Sequence, residues 1–264
     1  MKQNSKYNSR LLKGGALIPE MRALLRIWEP SADSNGLVKS LIQENILAKR
    51  TRSRMEDILR EVFIPRYVNG NPPEAWQFLQ PLERAMWPTE HMRLLLYYHA
   101  AKSESLLYDF VITSLFDQYY SGAVTISVSH VLAFLRQAMK ERKIHSPWSE
   151  SVSIRVAQGL LAALRDFGLL MGKKVKRIQR PAFPIPSFVY IAFLIKREVA
   201  SGQRVLEHPD WRLFLLNPPS VERLFLEAHQ EGCLQYHALG NIIRIDFKHE
   251  TMEELIHGVL AAAP

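Results

Sequence analysis

The 264-residue sequence has a single cysteine, Cys233, and its most apolar run, Phe188 to Ile195, makes only about two helical turns. A lone thiol forms no internal disulfide and supplies no cysteine-based zinc site, which fits a reducing cytosol. Spanning a bilayer takes roughly 20 apolar residues, so no transmembrane segment is expected. A signal peptide is not expected either, because the basic opening MKQNSKYNSRLLKGG leads into a helical pattern interrupted by Arg22 and Arg26. The expected compartment is cytoplasmic.

Catalytic signatures are also lacking: there is no phosphate-cradling GxxxxGK[ST], no GxSxG elbow, no HExxH and no paired-cysteine motif. His257 with Glu253 or Glu254, and Glu90 beside His91, have ligand-like spacing, but histidines beside carboxylates are far commoner than metal sites. Cys233 has no basic neighbour to activate it and reads as a packed thiol. The expectation is a protein that is not an enzyme, with no metal and no cofactor. Acidic residues are in short supply: 26 Asp and Glu against 34 Lys and Arg leave a formal net charge of +8. That balance points to an anionic partner, nucleic acid first and an acidic protein second.

What is present is helix-period patterning. Leu17, Met21, Leu24, Leu25 and Trp28 form one stripe ended by Pro30; Leu37, Val38, Leu41, Ile42 and Ile46 form a second; Met55, Ile58, Leu59, Val62 and Phe63 form a third. Ser53 with Glu56 reads as a capping box for the third helix, which is expected to close at Pro65. The turn-rich NGNPP that follows sets an expected boundary between an N-terminal helix-turn-helix-like domain, 1–70, and a second helical domain, 71–264. From Ala75 to Tyr120 two or three helices are expected, with breaks at Pro81 and Pro88. Val124, Ile126 and Val128 alternate as a short strand does. Two helices follow, the second ended by Gly168, then a hairpin over Leu169–Met171 and Val175–Ile178. After RPAFPIP come a helix to about Ala200, another from Ser220 to Glu231, a hairpin from Cys233 to Asp246, and a last helix to Ala261. The fold class is therefore mainly α, with helix-turn-helix or winged-helix-like elements and small β hairpins.

Two basic constellations stand out. Lys49, Arg50, Arg52 and Arg54 lie between two short amphipathic helices, where a helix turn meets phosphate; Glu56 with Arg60 and Arg54 with Asp57 have the spacing for internal pairs. Lys173, Lys174, Lys176, Arg177 and Arg180 have no acidic neighbour and fall on and just after the hairpin expected near 169–178, where a wing lies along a DNA backbone. Arg155 and Arg165 belong on or near the exposed side of the preceding helix. A solvated basic turn is the plain alternative for each. The aromatics Tyr97, Tyr98, Tyr108, Phe110, Phe116, Tyr119 and Tyr120 sit in apolar segments at helical spacing, which favours core packing over base stacking.

Three stretches, LLKGGALIPEMRALL (Leu11 to Leu25), ENILAKRTRSRMEDILREVFIPRY (Glu44 to Tyr67) and VAQGLLAALRDFGLL (Val156 to Leu170), occur in order over most of the chain. Together they resemble the BrxA family of bacteriophage-exclusion (BREX) defence systems. The resemblance implies a helical accessory protein with winged-helix-like parts that binds double-stranded DNA, in systems whose other members include an adenine methyltransferase, a phosphatase-like protein and ATPases. Other BREX proteins are then possible partners. A scaffold docking onto acidic BREX subunits, or an RNA-binding transcriptional regulator, are the rival readings. A membrane-protein label has also been attached to this family, and the short apolar runs speak against it.

Overall fold

The apolar stripes become helices that wrap one largely buried helix. The computed structural model describes residues 6–29, 34–144, 146–240 and 242–261. A 3-10 turn, Arg10–Leu12, leads to α1 (Ile18–Ile27), α2 (Ser34–Glu44) and α3 (Arg52–Glu56), which continues with π-type hydrogen bonds over Asp57–Val68. Next come α4 (Trp76–Arg84), α5 (Thr89–Ser103), α6 (Ser105–Asp109), continued as a π segment over Phe110–Leu115, and α7 (Phe116–Tyr120). Strand β1 (Thr125–Ile126) precedes α8 (Val128–Lys140) and α9 (Glu150–Asp166), with β2 (Leu170–Met171) and β3 (Lys176–Ile178) behind them. The last part holds α10 (Ile185–Glu198), α11 (Gly202–Leu206), a 3-10 segment at Pro209–Phe214, α12 (Pro218–Gln230), β4 (Leu234–Leu239), β5 (Ile242–Phe247) and α13 (Met252–Ala261). The protein is mainly α with two small antiparallel sheets, one of strand order β1-β3-β2 and one of β4 with β5.

Helix α5 is the centre. Leu94 to Ala101 are buried without interruption, as expected of a helix surrounded by others, and it packs against the π segment of α3, α10, α6 and α4. Each large apolar side chain so buried contributes about 1.5–3 kcal/mol. The buried cluster runs continuously from Tyr7 to Ile256, so side chains on both sides of residue 70 share it.

The Gly14-Gly15 turn has a specific reason. A Cβ on Gly14 would meet the Leu17 Cδ1 at 2.6 Å and the Val62 Cγ2 at 2.8 Å, so any larger residue there must displace those two side chains. The buried Arg66 donates to the Gly15 carbonyl at 2.7 Å, to the Gly14 carbonyl at 3.1 Å and to Glu104 at 3.3 Å. On the other side Gly15 lies against Ala163 of α9, and the Leu11 carbonyl lies 3.1 Å from where a Gly159 Cβ would stand. The small residues Gly159 and Ala163, one turn apart, thus let the N-terminal segment join α3 to α9.

Several local expectations are corrected. Thr51, not Ser53, caps α3: its hydroxyl accepts from the Arg54 amide at 3.1 Å, and Ser53 lies inside the helix. Pro65 does not close that helix, which continues to Val68 because the wider π hydrogen bonding there accommodates a residue without an N–H. Pro81 likewise lies within α4, as its sixth residue, and does not end it. Pro30 falls outside the described residues.

Candidate nucleic-acid interface

The turn between α2 and α3 is built by Asn45. Its side chain accepts from the Lys49 amide at 2.9 Å and donates to the Lys49 carbonyl at 2.7 Å, closing a loop in which Asn45 and Ala48 both have positive φ. The four basic residues divide. Lys49 is engaged with Glu20 at 2.8 Å, and Arg54 donates to the Lys13 carbonyl. Arg50 and Arg52 are exposed and have no ion pair or side-chain hydrogen bond among the described residues. The expected pair of Glu56 with Arg60 forms at 3.0 Å, whereas Asp57 turns to Lys13 at 3.1 Å instead of Arg54.

The second constellation lies on the three-stranded sheet. In register, Thr125 of β1 and Met171 of β2 flank Arg177 of β3, and all three are exposed. Lys173 and Lys174 occupy the turn, exposed and unpaired among the described residues. Lys176 is committed to structure: its ammonium donates to the Gly172 and Lys173 carbonyls at 2.9 and 2.8 Å and so holds the turn. Partial burial, together with the positive charge of Arg165 nearby, pushes its pKa down. The carboxylate of Asp166 opposes that shift, so the C-terminal end of α9 faces the hairpin with charges of both signs. Along α9 the exposed stripe is Ser151, Arg155 and Gln158, with Ala162 and Arg165 half-buried beyond. Arg155 has no partner among the described residues, Arg165 pairs with Asp166 at 2.6 Å, and Arg180 donates to the Ser220 hydroxyl at 3.3 Å.

The N-terminal segment links the two constellations. Lys13 bonds Arg54 and Asp57 on one side, while Leu11, two residues earlier, packs on Gly159 of α9 on the other. Three cations escaped the sequence reading: Arg136 and Lys140 on α8 and Arg142 just past it are exposed and unpaired among the described residues. Apolar and polar residues separate Arg136 from Lys140, and Glu141 separates Lys140 from Arg142, so no basic run announced them.

The aromatic residues are structural. Tyr97, Tyr98 and Phe110 are fully buried, and the hydroxyls of Tyr98 and Tyr108 donate to Asp210 at 2.8 and 2.6 Å. Among the described residues one cluster with metal-ligand chemistry was not singled out from the sequence: Glu198, His208 and Asp210 converge across the turns that join α10, α11 and the 3-10 segment. The Lys102 ammonium already stands among them, 3.0 Å from Glu198 and 2.9 Å from Asp210, and balances the carboxylates. Cys233 is half-buried, and burial pushes its thiol pKa up, away from nucleophilic character.

The BrxA family model matches residues 5–194, nearly three quarters of the chain and both basic constellations. The chain belongs to the BrxA family. Membership associates it with BREX defence; α11 to α13 lie beyond the matched BrxA region. No curated protein matches it. Among solved structures, an uncharacterized protein from Magnetospirillum magneticum is similar, with a TM-score of 0.60 and 18% identity over 80% of this chain and 100% of that one. Likeness at that identity shows the fold alone. No helix among the described residues of this BrxA-family chain is long and apolar enough to cross a membrane.

Proposed function

We propose that this BrxA-family chain is a non-enzymatic binder of duplex DNA, gripping the phosphate backbone through a winged-helix-like unit, residues 125–178, and through the α2–α3 turn. The observation that carries the reading is the set of unpaired cations on one unit: Arg155 on the exposed stripe of α9 and Lys173, Lys174 and Arg177 on the hairpin beside it. Strand order β1-β3-β2 closing a helix pair is the arrangement in which the second helix faces a groove and the hairpin follows the backbone. Neutralising phosphates releases condensed counterions, which supplies affinity without sequence readout. Lys49, Arg54 and Lys176 have structural partners and hold the two turns in shape; Arg50 and Arg52 are the DNA-facing pair at the first.

Band-shift titrations on unrelated duplexes over a salt series test this. Binding should weaken steeply with salt, and the Arg50→Ala/Arg52→Ala variant should flatten the slope by about 0.9 for each phosphate it no longer neutralises. Unchanged affinity in the folded variant removes the α2–α3 turn from the interface. The second reading, a scaffold that docks on an acidic BREX subunit, draws on the exposed apolar Val124, Met171 and Val175 beside the same cations. Capture of such a subunit with no affinity for DNA would replace the first reading with it.

A further inference from the structure

Beyond β3 the chain passes through residues 179–184 to α10, and this stretch lies against the start of α12. The two enclose a cleft of about 230 Å³, with Phe183, Leu216 and Leu224 as its apolar lining and Arg180, Ser220 and Arg223 as polar groups. Arg180 spends one N–H on the Ser220 hydroxyl at 3.3 Å and keeps its other donors. Arg223, three residues after Ser220 and so on the same side of α12, is exposed with no ion pair or hydrogen bond among the described residues.

We propose that this cleft holds a backbone phosphate of the duplex, between Arg180, Arg223 and the Ser220 hydroxyl, so that DNA runs from the first unit onto the C-terminal one. This rests on the duplex-binding reading and extends it to a region outside the family match. The spacing fits: three extended residues separate Arg177 from Arg180, at most about 10 Å, on the order of three base-pair rises along one strand. The contact is made by side chains because the helix start has no amide to give. Pro218 and Pro219 lack an N–H, and the Ser220 and Val221 amides are taken by Asn217. A phosphate there meets two exposed arginine forks at the mouth of a cleft with an apolar floor.

The rest of α12 limits the contact to the backbone. Its exposed side beyond Arg223 carries Leu226, Glu227 and Gln230, followed by Glu231, with no further Lys or Arg. Such a face is repelled from a groove, so α12 meets the duplex with its first turns only. Glu227 also lines the cleft, one turn from Arg223 and without an ion pair to it. A bound phosphate feels that carboxylate as repulsion, which fixes the sign of one substitution.

The test compares wild type, Arg223→Ala and Glu227→Gln on duplexes of about one and about two helical turns, at several salt concentrations. Comparing variant with wild type on the same duplex cancels the extra binding registers that a longer duplex offers. On the longer duplex Arg223→Ala should bind about three- to tenfold more weakly with a salt slope flatter by about 0.9, while Glu227→Gln should bind more tightly. A duplex of about one turn already spans the three base-pair rises between Arg177 and Arg180, so changes of the same sign should appear on it, and thermal unfolding should confirm that both variants are folded. Wild-type behaviour of both variants on both lengths overturns the cleft contact and leaves duplex binding by the first unit standing. No binding of any duplex by the wild type overturns both.

Discussion

Residues 125–178 and 185–247 repeat one order, helices followed by an antiparallel hairpin, yet they use charge in opposite ways. The first unit is anchored by close apolar packing, with Leu11 against Gly159 and Gly15 against Ala163, and leaves Arg155, Lys173, Lys174 and Arg177 unpaired at its surface. The second is anchored by a buried polar network. Asp210, fully buried, accepts from Tyr98, Tyr108 and Lys102, and His99 shares a 2.8 Å hydrogen bond with Tyr190. Its hairpin tip is apolar: Leu239 and Ile242, paired across β4–β5, are 81% and 71% exposed. Buried, paired charge specifies how elements dock, whereas exposed, unpaired charge has an external counterion to find.

The largest effect that would sharpen this contrast is loss of the Asp210 carboxylate. Burial opposes its ionisation, but Lys102, His208 and the Tyr108 hydroxyl outweigh burial and hold its pKa below the usual carboxylate value. Asp210→Asn leaves the Lys102 ammonium buried with only Glu198, half-exposed, as its carboxylate partner. Chemical unfolding should show a loss of about 3–5 kcal/mol, the usual result of breaking a buried pair from one side. A loss under about 1 kcal/mol would mean that the second unit is held by apolar packing as the first is.

The two anchors also differ in how far sequence reveals them. The hairpin at Leu170–Ile178 and the basic residues on it are local, so periodicity, Gly168 and five cations in a short run were enough to place them. Asp210 and Lys102 lie 108 residues apart, and nothing near either marks the pair. The Gly-Gly turn was visible as a motif, but its partner was not: Arg66 reads as one more surface cation until the fold buries it against two carbonyls. Conversely, Lys49 and Arg54 looked equivalent to Arg50 and Arg52, and only tertiary contacts with Glu20 and Lys13 separate structural cations from free ones. Pro65 and Pro81 misled because a proline inside a helix lowers its stability without always ending it.

A smaller effect separates the anchors by pH. Burial, assisted by the charge of Lys102, pushes the pKa of His99 down to about 3. The folded value lies below the unfolded one of about 6.5, so the stability linked to neutral His99 is complete above that pH and is lost as pH falls toward the folded value. By about pH 4 the loss should be on the order of 3 kcal/mol. His99→Gln keeps a hydrogen-bonding group near Tyr190 and does not titrate, so its stability should be flatter between about pH 6.5 and 4 than that of the wild type. Parallel pH profiles for the two proteins would show that His99 does not govern the acid limb.

The smallest effects on stability are expected at the two hairpin tips, and there the contrast becomes functional. Leu239→Ser with Ile242→Ser, and separately Lys173→Ala with Lys174→Ala, alter exposed side chains that touch no core element, so each should move the melting temperature by no more than about two degrees. Only the lysine variant should lose affinity for duplex DNA, with the salt slope reduced by about 0.9 for each phosphate left without its lysine. The serine variant has no cation to lose, and its binding curve should overlay that of the wild type. If instead the apolar tip of β4–β5 contributes to DNA affinity, as a wedge between base steps does, the division of labour between the units fails, and the second hairpin joins the first at the duplex.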